Sequence, residues 1–223
     1  GAGDYTGKLW DAVTAENYRT FMWHFGFSVN ALRYSPDGNY MLTGASDGLA
    51  KLWDTLTGVQ LSLYGGHGGA VTSVDFAPDG GHVVTGSADG TAIIWDTFSA
   101  KAQPKYLLGH SSNVKSVAFS PDGTKVATGS ADRTVKVWNA ESGALIRTIS
   151  AHDDVVNAVA FSPEGNVLLS GSADRTAKAW RLYSGTLLRT YGGHRAGVRT
   201  VAYTPDGAQV VTGSGDRTAM LWD

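Results

Sequence analysis

Histidine, aspartate and hydroxyl residues recur in this chain at a fixed phase, and together they are the set a hydrolase uses to activate a nucleophile. Histidine follows a small residue at Gly66–His67, Gly109–His110, Ala151–His152 and Gly193–His194. Aspartate closes a second block: Gly-Ala-Ser-Asp at Gly44, Gly-Ser-Ala-Asp at Gly86, Gly129 and Gly171, and Gly-Ser-Gly-Asp at Gly213. Active sites are single and concave, whereas this trio returns with every unit of the chain. A structural network copied with the architecture is therefore the better reading. The run Gly86–Gly90 is no phosphate loop, because no Gly-Lys-Ser/Thr follows it and no helix begins there. Metal ligation fares no better: the recurrent histidines lie about 42 residues apart, and His82 stands alone in a strand. No cofactor and no metal is expected.

The elements that position these residues follow from the repeat itself. Tryptophans fall at Trp10, Trp53, Trp95, Trp138, Trp180 and Trp222, spaced by 43, 42, 43, 42 and 42 residues, and only Trp23 breaks the series. Pro36, Pro78, Pro121, Pro163 and Pro205 occupy one position of the unit, inside the turn Ser-Pro-Asp-Gly or a close variant. Complete units span 12–54, 55–96, 97–139, 140–181 and 182–223, and 1–11 matches the tail of a sixth. Within a unit the β-branched and aromatic runs are five to seven residues long, as at 114–120, 125–130, 134–138 and 145–149. They read as four short antiparallel strands. Such a unit cannot bury both its faces alone, but radial stacking covers them.

With these blocks in register, the chain resembles the WD40-repeat family. The closing Trp-Asp stands at Trp10–Asp11, Trp53–Asp54, Trp95–Asp96 and Trp222–Asp223, varied to Trp138–Asn139 and Trp180–Arg181. The resemblance implies an all-β propeller of four-stranded antiparallel blades, each repeat's first strand serving as the outer strand of the preceding blade. Because 1–11 begins mid-unit and the first residue is not Met, the expectation is an incomplete part of a propeller with seven or more repeats. A closed ring of five, completed by a strand near 18–23, ranks lower.

The resemblance also implies a hydrogen-bonded tetrad in each blade. The complete sets are Asp89, His67, Thr85 and Trp95; Asp132, His110, Thr128 and Trp138; Asp174, His152, Ser170 and Trp180; and Asp216, His194, Thr212 and Trp222. Indole N–H donates to hydroxyl, hydroxyl to imidazole, and imidazole to carboxylate, so no polar atom is left unpaired. In the first unit Phe25 stands where histidine belongs, with His24 in the glycine position. Asp47, Thr43 and Trp53 remain, and that tetrad is expected to be broken.

Composition narrows the function classes. A net charge of −2 lacks the basic footprint of a nucleic-acid binder. The absence of cysteine excludes a disulfide scaffold and a cysteine zinc site. No signal pattern or long apolar run is present, which favours an intracellular, cytoplasmic setting and no membrane; arrays resembling this one often serve in cytoskeletal or ciliary assemblies. The function expected is a non-catalytic protein-protein interaction scaffold, a subunit of a hetero-complex binding proteins or peptides through its rims. The alternative is a regulatory or sensor module of a multidomain signalling protein.

Contact residues are sought where the scaffold dictates least. Phe25, Phe27 and Trp23 bring aromatics near a rim, although internal packing explains Phe25 and Trp23 equally well. Ser111, Asn113, Asp153, Asp154 and Arg195 differ between equivalent loops after the histidine. The stretches 12–27 and 101–106 are the least repeat-like. Arg133, Arg175 and Arg217 recur after the tetrad aspartate. They read first as solvated turn residues paired with nearby carboxylates. The sharper alternative is a cationic arc for an acidic or phosphorylated partner.

Overall fold

The computed structural model describes residues 6–10, 13–14, 16–22, 24–99 and 103–223, with side chains omitted for 6–10 and 17–22. Asp11, Trp23, Lys101 and the Trp10 side chain, singled out above, lie outside the described residues. All regular structure among the described residues is β.

Strands β1 (Thr6–Trp10) and β2 (Asn17–Met22) pair antiparallel as a two-stranded sheet. The first four-stranded sheet is β3 (Val29–Tyr34), β4 (Tyr40–Ala45), β5 (Leu49–Asp54) and β6 (Gln60–Gly65). The second is β7 (Val71–Phe76), β8 (His82–Ser87), β9 (Ala92–Asp96) and β10 (Lys105–Leu107). The third is β11 (Val114–Phe119), β12 (Lys125–Ser130), β13 (Thr134–Asn139) and β14 (Leu145–Ser150). The fourth is β15 (Val156–Phe161), β16 (Val167–Ser172), β17 (Thr176–Arg181) and β18 (Leu187–Gly192), and β19 (Val198–Tyr203), β20 (Val210–Ser214) and β21 (Ala219–Trp222) form a three-stranded fifth. Each sheet runs antiparallel in chain order, and the outer strand of each four-stranded sheet belongs in sequence to the following repeat unit. Because β2 pairs with β1, it does not complete the sheet of β21, as a closed ring of five would require.

Turn chemistry sets the ends of the strands. At Ser120–Gly123 the glycine amide donates to the Ser120 carbonyl at 2.8 Å, and Gly123 takes φ 70°. Proline presets the first corner and glycine accepts the left-handed one. The Ser120 hydroxyl donates to Asp122 at 2.5 Å, which locks the turn from within.

The core lies between sheets. Successive residues of a strand point to opposite faces, so Val83 and Ile93 join a cluster with Leu42, Leu52 and Tyr64 of the first sheet. Their neighbours Val84 and Ile94 pack with Val117, Val126 and Trp138 of the third. Both faces of β8 and β9 are therefore covered, which is why these strands read as continuous apolar or small runs. The innermost strands β3, β7, β11, β15 and β19 lie side by side in chain order around a channel.

One bulge per blade makes this packing possible. Val114 pairs with Ser130 and Ser116 with Gly129, leaving one residue of β11 without a partner. The extra residue places Val114 and Val117 on the same face, three positions apart. Both press on Gly86 of the second sheet, where a Cβ would lie 2.8 and 2.7 Å from their methyl carbons. Val156 and Val159 meet Gly129 in the same way, and Val198 and Val201 meet Gly171. The recurrent glycine of the second block is thus the floor on which the next blade's valines rest.

Alanine at Gly129 would put its Cβ 2.8 Å from Val156 and 2.9 Å from Val159. We expect Gly129→Ala to cost about 1–3 kcal/mol in denaturant unfolding, as overpacking does. Gly192→Ala, whose Cβ meets nothing within 4 Å, should stay near the parent; equal costs for the two variants would refute this packing account.

Candidate functional site

The hydroxyl on the second strand is the centre of each network. Thr128 accepts the Trp138 indole N–H at 2.9 Å, and its oxygen lies 2.7 Å from His110 Nε2. His110 Nδ1 lies 2.7 Å from Asp132. A carboxylate only accepts, so Nδ1 carries the proton, and the threonine hydroxyl donates to Nε2. The fourth blade repeats this with Trp180, Ser170, His152 and Asp174 at 2.8, 2.7 and 2.8 Å. In the fifth, Trp222, Thr212, His194 and Asp216 lie 2.9, 2.8 and 3.0 Å apart in turn. In the second, Trp95–Thr85 and Thr85–His67 are 2.9 and 2.7 Å, but His67–Asp89 is longer at 3.3 Å, because Nδ1 also meets Thr91 at 3.0 Å.

The first blade corrects the sequence expectation: its tetrad is whole. His24 Nδ1 lies 2.7 Å from Asp47, His24 Nε2 lies 3.0 Å from Thr43, and Trp53 donates to Thr43 at 2.9 Å. Five positions separate His24 from Val29, where four separate each other tetrad histidine from its valine. The unit therefore carries a one-residue insertion, not a histidine replaced by Phe25. A turn absorbs the extra residue: Phe27 N–H donates to the His24 carbonyl at 2.9 Å, and Gly26 takes φ 81°. Phe25 is left 85% exposed and Phe27 47% exposed, so neither packs in the core.

Burial decides the charge state of the networks. It holds the imidazoles of His24, His67, His110 and His152 below their ordinary value, outweighing the pull of each neighbouring aspartate. Burial alone would raise Asp132, but hydrogen bonds from Thr134 and His110 overcome it and hold the carboxyl at about 2. In the second, third and fourth blades the network is thus a neutral imidazole on a carboxylate. The same carboxylates order the loop after the histidine: the amides of Gly68, Ser111, Asp153 and Arg195 donate to Asp89, Asp132, Asp174 and Asp216.

That loop and the tetrad turn share one rim, because β11 leaves it and β12 returns to it. Ser111, Asp153, Asp154 and Arg195 are exposed there, while Asn113 is half-buried and its carbonyl accepts the Ala131 amide. Arg133, Arg175 and Arg217 stand exposed on the same rim with φ of 71°, 75° and 70°. The expected pairing with carboxylates is absent: among the described residues no ion pair involves any of the three. In the first two blades the equivalent positions are Gly48 and Gly90, with φ of 79° and 86°.

Two further cations escaped sequence reasoning. Asn30, Thr72, Lys115, Asn157 and Arg199 hold one register position and line a channel mouth of about 620 Å³ on this rim. Asn30, Thr72 and Asn157 donate to the carbonyls of Val71, Val114 and Val198, stitching each inner strand to the next. Lys115 and Arg199 make no such bond among the described residues and add positive charge to the mouth. The available signal was variation at one phase of an otherwise fixed repeat. The opposite mouth is lined mostly by apolar residues, and its charged residues are Arg33 and Asp75, 3.7 Å apart. Burial pushes Asp75 up to about 6 despite the Phe119 amide and Arg33.

Among the described residues no helix is long and apolar enough to cross a membrane, and no group of three or more potential metal ligands occurs.

Two measurements test the networks. Thr128→Val keeps the shape but strips the acceptor from the indole and the donor from the imidazole, and should cost about 1–3 kcal/mol; an unchanged unfolding midpoint would exclude the bonding described. The second is pH. Unfolded histidines protonate near 6.5 and these four only below it, so the unfolded state binds more protons and stability falls as pH drops below 6.5. Asp132, depressed from 3.8 to about 2, extends the loss further into acid. Asp75 runs the other way, losing its contribution as pH rises through about 6. The melting temperature should therefore hold near pH 7–8 and decline below about 6.5; a rise on acidification to pH 5 would mean buried imidazolium.

Comparison with known proteins places these observations. The family model described as "WD domain, G-beta repeat" matches residues 15–54, 58–96, 102–139, 143–181 and 185–223. A guanine nucleotide-binding protein subunit beta of Nicotiana plumbaginifolia is 45% identical over 65 residues, covering 29% of this chain and 17% of that protein. The subunit beta of Arabidopsis thaliana is 44% identical over 78 residues, covering 33% and 20%. That of Oryza sativa subsp. japonica is 38% identical over 65 residues, covering 29% and 17%. The matched segment thus spans a fifth or less of each of these relatives.

Proposed function

The chain belongs to the WD40 repeat family, and on that premise we propose that it is a non-catalytic scaffold that grips an acidic or phosphorylated protein segment on its arginine-bearing rim. One observation carries the reading. Arg133, Arg175 and Arg217 occupy left-handed backbone positions that the first two blades give to Gly48 and Gly90. A side chain there costs roughly 1 kcal/mol against glycine. No side-chain hydrogen bond or ion pair among the described residues offsets that cost, and an external anion would. Arginine presents a planar fork suited to carboxylate and phosphate. Lys115 and Arg199 extend the same charge inward to the channel mouth, and exposed Phe25 adds an aromatic anchor of the kind protein contacts favour.

The histidine networks support the non-catalytic part. Thr43, Thr85, Thr128, Ser170 and Thr212 are fully buried, and each hydroxyl already accepts an indole N–H. A substrate carbonyl has no path to any of them. The relatives named as beta subunits of guanine nucleotide-binding proteins favour a second reading, in which the chain serves as a regulatory module within a signalling assembly.

Replacing all three arginines by glycine separates function from stability. The triple variant should melt at or above the parent temperature, since backbone strain is relieved. Its affinity for a glutamate- and phosphoserine-rich peptide, read by fluorescence anisotropy at fixed salt, should fall about tenfold or more. Unchanged affinity, or no measurable binding by the parent, would remove the rim from consideration.

A further inference from the structure

On the rim opposite the arginines a side-chain pair recurs at the junction of neighbouring sheets, and its members differ from junction to junction. One member precedes or opens the second strand: Tyr40, His82 or Lys125. The other lies three positions after the blade tryptophan of the next sheet: Phe98, Glu141 or Tyr183. Between the first and second sheets Tyr40 and Phe98 stack edge to face at 5.0 Å, over a residual cavity of about 220 Å³. Between the third and fourth, the Lys125 ammonium lies 5.9 Å from the centre of the Tyr183 ring. Between the second and third the pair is His82 and Glu141, and the cavity is twice as large, about 440 Å³.

The lining of that cavity has two characters. Its floor is apolar, with Ile94 and Phe119 beneath and Pro78 and Pro121 along the sides. Its rim carries the carboxylates of Asp79, Asp122 and Glu141 against the single lysine Lys105, whose ammonium is 3.4 Å from the Ala140 carbonyl. Asp79 and Asp122 are anchored by the turns: Asp79 accepts the Gly81 amide, and Asp122 accepts the Ser120 hydroxyl and the Thr124 amide and pairs with Lys125 at 3.7 Å. The Ser120 bond leads the interactions that hold Asp122 ionised, at about 2. Glu141 and His82 make no side-chain hydrogen bond or ion pair among the described residues. The outer strand beside the groove, β10, has three residues where the outer strands of the other four-stranded sheets have six.

We propose that this groove receives an arginine side chain of a partner peptide, its stem lying on Phe119, Pro78 and Pro121 and its guanidinium paired with Glu141. A long cationic side chain is the occupant whose two halves match the floor and the rim, since its methylenes bury while its head stays at the charged edge. The guanidinium can also stack on a flat apolar wall and bind a carboxylate through two N–H groups. The site is independent of the arginine-bearing rim: it faces the other way and selects the opposite charge.

The test is an amide-resolved NMR titration of the full chain with acetyl-Gly-Arg-Gly-amide, with the uncharged citrulline analogue as control. Saturable shifts are expected at residues 79–82, 122–124 and 140–141, with citrulline about tenfold weaker. Glu141→Gln, which keeps the shape, should weaken the arginine peptide by a similar factor. Glu141→Phe, which restores an aromatic lid like Phe98, should abolish the shifts. The glycine variant of Arg133, Arg175 and Arg217 should bind the peptide as the parent does, so failure at one rim leaves the other standing. Equal binding of citrulline, shifts confined elsewhere, indifference to both Glu141 variants, or no shift at all would each overturn the proposal.

Discussion

A sheet whose successive residues face two different cores needs a neighbour on each side, and that requirement organises the whole molecule. Val83 and Val84 are adjacent in sequence yet belong to separate clusters, one shared with the first sheet and one with the third. Apart from the small cluster of Met41 and Trp53 with Val29 and Leu32 in the first sheet, each hydrophobic cluster is shared between two sheets. What a blade owns is its polar network, in which one threonine or serine hydroxyl accepts from tryptophan and donates to histidine. The network fixes the strands of a sheet to one another, while the bulge valines and the recurrent glycine fix one sheet to the next. In the third blade burial keeps the imidazole neutral while hydrogen bonds from Thr134 and His110 keep the carboxyl ionised, so that network carries its charge at the solvent-facing end.

The division between rigid frame and open loop follows directly. The tetrad aspartate faces inward to histidine and outward to the amide of the next loop, so the frame holds the loop's backbone and leaves its side chains free. Loop side chains can then change from blade to blade with little effect on folding, as Ser111, Asp153 and Arg195 do at equivalent positions. The two rims have diverged accordingly. One carries cations on strained turns and at the channel mouth; the other carries an acidic edge above an apolar floor in a single groove.

Most of the frame is legible in the sequence because the frame repeats. Tryptophans at a spacing of 42 or 43, prolines at one phase and the Gly-His pairs mark the strands and turns before any coordinate is known. What was not legible depends on register or on pairs. Phe25 looked like a substitution because the insertion in that unit falls after the histidine, and only the Gly26 turn reveals where the extra residue goes. The left-handed backbone of Arg133, Arg175 and Arg217 is invisible to periodicity, although Gly48 and Gly90 at the same phase were a clue. The stitching by Asn30, Thr72 and Asn157 and the groove at His82 and Glu141 arise between residues some 40 to 60 positions apart. Their types vary from unit to unit, so a repeat-based alignment averages them away.

The offset between sequence unit and sheet has a bearing on synthesis. The sheet that contains Trp53 takes its outer strand from Gln60–Gly65, beyond the unit in which that tryptophan lies. A chain emerging from the ribosome cannot finish one blade until it has started the next, and the valines that cover the finished face arrive later still. Each nascent sheet therefore passes through an interval with a bare edge and an uncovered flank, the state most prone to mispairing. The tight Pro-Asp-Gly turns shorten that interval by closing the first two strands of each sheet from local contacts alone, so that growth of the array becomes a sequence of small, ordered additions.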